Sequence, residues 1–309
     1  MTDISLSQRR PIHGVAVDQG SGLAAALRTA RGDAARDDDL FRFKQLVART
    51  MSAEATTLLV DAYYGRELLP EIAAPCLPML AYEADVYRIS NDDRITVLPD
   101  NLKVSDYSGL GVGVLKFFLY YGPNDPAAIN DRKQALVRQI GAECREHGVS
   151  FLFEPIVYDR GIEDGASAEF AGIKPELVER ATRSFAAPEF NIDILKVELP
   201  VNLNHVEGIG ENRMSRAEAE AAFRRAAEAA GDVPLLYLSA GVTFEQFEAG
   251  LQLARAAGVD VAGRVMAQIA SDRESGIGLE GIERPGRRYR LFVSTAAAAA
   301  LLVLAVWLN

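Results

Sequence analysis

Lys196 lies inside Ile194-Leu195-Lys196-Val197-Glu198-Leu199-Pro200-Val201, a run apolar enough to be a buried strand. Burial penalises an ammonium, lowers its pKa and turns the amine into a nucleophile able to form a Schiff base with a ketone. The bland alternative is a lysine that snorkels from the strand end or pairs with Glu198. Glu154, in Phe151-Leu152-Phe153-Glu154-Pro155, has surroundings that should raise its carboxyl toward neutrality, as a proton shuttle requires. It can equally form a salt bridge to a neighbouring lysine.

Lys116, in Val114-Leu115-Lys116-Phe117-Phe118, is either a second Schiff-base candidate or the positive charge that depresses the other amine; the residues alone leave this open. Asp18, followed by Gln19-Gly20-Ser21-Gly22, can hydrogen-bond a substrate hydroxyl or cap the next helix. Ser239-Ala240-Gly241, after an apolar run, can hold a phosphate through backbone N–H groups or form a small-residue turn.

Eight short apolar runs must position these groups: 14–20, 56–61, 78–85, 113–121, 149–158, 194–201, 235–241 and 259–266. They read as parallel strands. Segments 125–146, 174–186, 215–230 and 243–257 carry Ala, Glu, Arg and Leu at helical spacing after Ser, Thr, Asp or Pro start signals. Such βα units, repeated over about 250 residues, predict an α/β fold of the (β/α)8 TIM-barrel class. A doubly wound open sheet is the runner-up, without a GxGxxG after the first strand to favour it.

Barrel chemistry belongs at the carboxyl ends of strands. Reading each run toward its end gives Asp18 with Gln19, Asp61, Glu83 or Asp85, Lys116, Glu154, Lys196 with Glu198, Ser239 with Gly241, and Arg264. Period-two alternation puts Lys196 and Glu198 on one face.

The chain has 309 residues, 49% of them hydrophobic, enough for a large core, and a formal net charge of -10. The charge argues against nucleic acid as a partner, though local basic groups can hold a small phosphate. Cys76 and Cys144 lack CxxC spacing, and His13, His147 and His205 lack ligand spacing, so neither a disulfide framework nor a metal is expected. The segment from Met1 to Arg10 is polar and does not read as a secretory signal, so a cytoplasmic location is expected.

Together, Val15-Ala16-Val17-Asp18-Gln19, Leu58-Leu59-Val60-Asp61 with Tyr64-Gly65, residues 114–121, and FNIDILKVELPVN over 190–202 resemble the tagatose-1,6-bisphosphate aldolase family. FLFEPIVYD around Glu154, ASAEFAGIK over 166–174 and Leu238-Ser239-Ala240-Gly241-Val242 are also similar to it. The resemblance spans about His13 to Gly263. It implies a metal-independent, cofactor-free class I aldolase that cleaves a ketose bisphosphate to dihydroxyacetone phosphate and glyceraldehyde 3-phosphate. It further implies Lys196 as the Schiff-base lysine, Glu154 as the acid/base carboxylate, Lys116 as a supporting lysine, Asp18 and Gln19 as substrate contacts, and Ser239, Ala240 and Gly241 as a phosphate-binding turn. Alternatives are a sulfofructose-phosphate aldolase, which shares the lysine but needs a sulfonate site, and a catalytically impaired barrel serving as sugar-phosphate sensor or scaffold.

The chain departs from the family at the eighth run, where relatives hold a phosphate with a Gly-Arg pair. Gly263-Arg264 supplies it if a short deletion is allowed, whereas an ungapped alignment places Ala267-Gln268 there. The expected organisation is therefore a barrel over 1–270 and a divergent tail over 271–309. Arg284-Pro285-Gly286-Arg287-Arg288-Tyr289-Arg290 precedes an apolar stretch, 291–308, whose polar residues are Ser294 and Thr295. That stretch reads as a membrane anchor with a basic cytoplasmic flank, as an Ala-rich helix packed on the barrel or in a homo-oligomer interface, or as a tail from an altered reading frame.

Overall fold

The computed structural model describes residues 12–85, 92–238, 242–259 and 261, together with the backbone of 264–268. Eight parallel strands run in chain order around a closed barrel: β1 Ile12–Ala16, β2 Thr57–Val60, β3 Leu77–Ala81, β4 Val114–Tyr121, β5 Ser150–Val157, β6 Ile194–Val197, β7 Leu235–Leu238 and β8 Arg264–Gln268. Closure comes from β8 pairing with β1. The expected barrel is the one formed, and the open-sheet alternative is excluded.

The helices are α1 Ser21–Arg31, α2 Asp39–Met51, α3 Gly65–Leu68, α4 Asp106–Gly109, α5 Ala127–His147, α6 Ala168–Phe185, α7 Arg216–Ala230 and α8 Phe244–Ala256. Start signals behave as their chemistry dictates. Ser215 and Thr243 each form a capping box, and α5 ends at Gly148, whose left-handed φ of 66° lets its N–H reach the last carbonyls. The helical segment expected over 174–186 starts earlier: α6 begins after Ser167, whose side chain accepts from Phe170 N, and runs through Pro175.

Alternation along the strands separates two apolar layers. Residues such as Leu58, Leu115, Phe117, Phe151, Phe153, Leu195 and Tyr237 pack outward against the helices. Ala16, Leu59, Met79, Ala81, Val114, Leu152, Ile194 and Leu236 form a separate buried cluster inside the barrel. This inner layer is a plug beneath the carboxyl ends of the strands.

The eighth strand needs a correction. The run at 259–266 predicted a strand there, but pairing begins at Arg264, opposite Ile12, and ends at Gln268, opposite Ala16. Gly258, at φ 79°, and Val259 instead close the turn after α8, with Val259 N reaching Ala254 O. Residues 271–309, including the apolar stretch 291–308, lie outside the described residues. Among the described residues, no helix is long and apolar enough to cross a membrane. Cys76 and Cys144 are buried free thiols.

Candidate active site

One inward position above the plug, the strands turn from apolar to ionisable. Asp18 follows Ala16, Asp61 follows Leu59, Glu83 follows Ala81, Lys116 follows Val114, Glu154 follows Leu152 and Lys196 follows Ile194, each by the two-residue step that keeps a side chain on the same face. Charges removed from water cost several kcal/mol each unless paired, so their mutual arrangement decides what they can do.

Lys116 is the hub. Its Nζ donates to Asp18 Oδ2 at 2.9 Å and to Glu83 Oε1, and stands 2.9 Å from Glu154 Oε2. Burial alone would lower its pKa, but the charges of Asp18, Glu154 and Glu83 outweigh that and push it well above the ordinary lysine value. Lys116 is thus an ammonium, without the lone pair a Schiff base requires. Its position fits the supporting charge of the two roles the sequence left open.

Lys196 is different. Its side chain is 0% exposed, and its Nζ lies 3.1 Å from Glu154 Oε1. The contact is an ion-pair distance without hydrogen-bond alignment, so Lys196 Nζ has no aligned acceptor among the described residues. Glu154 therefore stands between two lysines, one oxygen toward each. The pairing with Glu198 does not form. The strand ends at Val197, and Glu198 turns away to Lys174 at 3.0 Å and accepts from Val157 N at 2.9 Å.

The other carboxylates titrate in opposite directions. Burial works to raise the Asp18 pKa, yet Lys116 above all, with Lys196 and Lys44, holds it at about 2. Glu83, whose burial is the dominant effect, is pushed up to about 7 despite Lys116, with Asp18 and Glu154 adding repulsion. Asp18 does not cap α1: the residue at that cap is Gly20, and Asp18 spends one oxygen on Lys116 while Oδ1 is buried without a partner among the described residues. Gln19 is buried beside it.

Two further ionisable groups complete the layer. Lys44, fully buried on α2, pairs with Asp61, which also accepts from Tyr63 N at 2.9 Å and Tyr64 N at 2.8 Å. Sequence reading passed over Lys44, although its place between Phe43 and Val47 on the buried face of an amphipathic helix is the signal that marks it. The strand-end pattern does not rank Glu83 over Asp85; the structure puts Glu83 on Lys116, while Asp85 accepts from Ser21 N at 2.8 Å. Beside the site, a cavity of about 260 Å³ is lined by Lys174, Glu198, Leu199, Asn202, Leu238 and Gln246 among others.

Of the phosphate-binding residues expected from sequence, the structure describes the backbone of Arg264 alone. Ser239, Ala240, Gly241 and Gly263 lie outside the described residues. Arg264 opens β8, so its backbone lies at the amino end of the barrel, level with Ile12 and away from the mouth. The same register puts the backbone of Ala267 and Gln268 at the carboxyl end of β8.

A buried lysine beside a carboxylate at the ends of β6 and β5 is suited to carbonyl chemistry, and the chain can be compared with proteins known to perform it. The family model described as DeoC/LacD family aldolase matches residues 13–269. The chain belongs to the DeoC/LacD family of aldolases. Among its relatives, this aldolase is 37% identical over 251 residues to tagatose 1,6-diphosphate aldolase 1 of Enterococcus faecalis, covering 80% of this chain and 75% of that protein. It is 33% identical over 260 residues to tagatose 1,6-diphosphate aldolase of Listeria monocytogenes, covering 83% and 76%. Staphylococcus epidermidis has a protein of the same name, 35% identical over 261 residues, covering 83% and 79%.

In fold, the aldolase matches an archaeal fructose 1,6-bisphosphate aldolase with a TM-score of 0.59 at 15% identity, covering 96% of each chain. A Schiff-base-forming fructose-1,6-bisphosphate aldolase matches with a TM-score of 0.58 and the same identity and coverage. Among the described residues of the aldolase, no group of three or more His, Cys, Asp or Glu side chains is arranged to hold a metal ion. Asp18, Glu83 and Glu154 converge instead on the Lys116 ammonium.

Proposed function

We propose that this aldolase cleaves a ketose 1,6-bisphosphate of the tagatose type through a Schiff base on Lys196, without a metal ion. The observation that carries the reading is the Lys196–Glu154 contact: a fully buried amine 3.1 Å from a carboxylate and lacking an aligned hydrogen bond. Substrate class comes from the relatives, which are named tagatose 1,6-diphosphate aldolases.

The amine must be neutral to react, and Glu154 is placed to take its proton. Lys196 Nζ then attacks the C2 ketone, and Glu154 returns protons as the carbinolamine loses water to leave a protonated imine. Glu154, ionised again, takes the C4 hydroxyl proton as the C3–C4 bond breaks, and later gives that proton to C3 of the enamine. The bonding electrons flow into the iminium, giving an enamine on Lys196, and glyceraldehyde 3-phosphate leaves. Protonation at C3 and hydrolysis then release dihydroxyacetone phosphate and restore the amine. The iminium is the electron sink, which is the role a Lewis-acid metal plays in other aldolases. Lys116, held as an ammonium, sets a fixed positive charge 2.9 Å from Glu154 Oε2, and the buried Asp18 Oδ1 is an acceptor for a sugar hydroxyl.

Borohydride reduction in the presence of dihydroxyacetone phosphate tests this. A covalent mass on the peptide containing Lys196, formed equally in a metal chelator, is the expected result. Labelling confined to other lysines refutes the assignment, and substrate binding without labelling favours the sensor.

A further inference from the structure

The rim of the mouth above β4 and β5 holds a guanidinium fixed by aromatic rings instead of by a carboxylate. Arg94, between β3 and β4, has a left-handed φ of 50°, a conformation long L side chains rarely adopt. Its guanidinium lies over the ring of Tyr158, 4.3 Å from the centroid, and 5.6 Å from that of Tyr120. The two rings meet edge to face, 6.4 Å apart. Among the described residues, Arg94 makes no hydrogen bond or ion pair.

Its neighbours are already engaged. Asp93 pairs with Arg132 at 2.9 Å and Arg160 at 3.5 Å. Arg160 Nε also donates to Asp125 at 2.9 Å; Asp125 accepts from Lys133 at 3.2 Å and from the Tyr158 hydroxyl, to which Lys133 also donates at 2.9 Å. The buried part of this network, Asp125 with Lys133, fixes the ring of Tyr158 on which Arg94 rests. Among the described residues, Arg132, Lys133 and Arg160 share the two carboxylates Asp93 and Asp125 there, so that with Arg94 the patch carries a local excess of positive charge on a chain whose formal net charge is -10.

A ladder on the inward face of β4 joins this rim to the charged layer. Lys116 Nζ lies 5.4 Å from the Phe118 ring, Phe118 meets Tyr120 edge to face at 4.8 Å, and Tyr120 meets Arg94. Phe118 is in register with Glu154 and Tyr120 with Ile156, so the platform stands one inward step, about 7 Å, above Glu154. The acidity of Tyr120 reflects the same proximity: burial raises its pKa, Arg94 opposes, and Glu198 and Glu154 reinforce the rise.

We propose that Arg94, braced on Tyr120 and Tyr158, anchors the phosphate on the aldehyde half of a ketose bisphosphate, the end four carbons from the ketone that Lys196 attacks. The inference rests on the Schiff-base reading above. Guanidinium presents a planar fork of donors that matches phosphate bidentately, and a pre-positioned fork loses little freedom on binding. Height above Glu154 suits the far phosphate and not the one adjoining the reacting carbonyl. Arg94 is thus a specificity residue, separating bisphosphates from 1-monophosphates.

The test compares kcat/KM for tagatose 1,6-bisphosphate and tagatose 1-phosphate in wild type, Arg94→Asn and Arg94→Lys. Asparagine tolerates a positive φ, so the backbone of this segment is preserved. The wild-type preference for the bisphosphate should fall on the order of 10- to 100-fold in Arg94→Asn, and by less in Arg94→Lys, which keeps the charge without the fork. A ratio that stays within about twofold of wild type, or an equal loss on both substrates, overturns the anchor. Borohydride trapping of dihydroxyacetone phosphate, which lacks the far phosphate, is run on the same proteins. If wild type fails to label, the Schiff-base reading falls and the anchor with it; if labelling persists while the preference is unmoved, the anchor alone fails.

Discussion

Lys196 Nζ and Glu154 Oε1 are 3.1 Å apart, both buried, and out of hydrogen-bond alignment. Glu154 is shared, because its second oxygen faces Lys116 at 2.9 Å. A carboxylate held between two amines, one of them fixed as an ammonium, can exchange a proton with the other without moving far.

Replacing Lys196 with alanine should lower kcat/KM by at least about a thousandfold, since it removes the amine that would carry the Schiff base while Lys116 is held as an ammonium. The fold should persist, because Glu154 keeps Lys116 as its partner. Steady-state kinetics and circular dichroism check the two halves; global unfolding would point to a structural lysine.

Glu154→Gln removes the proton carrier and keeps the shape. A loss of roughly 10²- to 10⁴-fold in kcat is expected, with slow labelling of Lys196 still detectable after borohydride reduction. Wild-type turnover in this variant would transfer the proton-carrying role elsewhere.

The two perturbed carboxyls give stability a pH signature of opposite slopes. Glu83 titrates at about 7 in the fold against an ordinary 4.5, so the folded protein binds more protons between those values and this residue's contribution weakens as pH rises through the window. Asp18 titrates at about 2 against 3.8, so its stabilisation is present above 3.8 and lost as pH falls toward 2. Denaturant unfolding should show wild type losing on the order of 1–3 kcal/mol relative to Glu83→Gln between pH 5 and pH 7.5. Parallel pH profiles for the two proteins would refute the assignment to Glu83.

Lys44→Met leaves the partly buried Asp61 beside an apolar chain, with the Tyr63 and Tyr64 N–H groups as its remaining partners. Removing one partner of a buried pair costs about 3–5 kcal/mol, and adding Asp61→Asn should recover part of it. Urea midpoints of the single and double variants measure the coupling, and additive effects would show that the pair contributes nothing as a pair.

The barrel was legible because each apolar run carries a strand, and β4 and β5 hold enough residues for period two to fix which side chains face inward. Lys116 and Glu154 were placed by that alternation alone, and Lys196 by its apolar flanks. Beyond a strand end the ladder no longer enforces the period, which Asp18, Asp61 and Glu83 keep and Glu198 breaks. Hence Glu198, one residue past β6, went to Lys174, and Glu83 could not be ranked over Asp85. Lys44 arrives from a helix, so no reading of strand ends could find it. The β8 boundary moved because Val259 and Val261 look like strand residues until the turn after α8 is seen to claim Val259.

The plug of Ala16, Leu59, Met79, Ala81, Val114, Leu152, Ile194 and Leu236 also governs traffic. With the floor sealed, sugar, water and both products share one doorway. The three-carbon aldehyde must clear it while its sister fragment is still tethered to the enzyme, so the order of departure is imposed by architecture as much as by bonding.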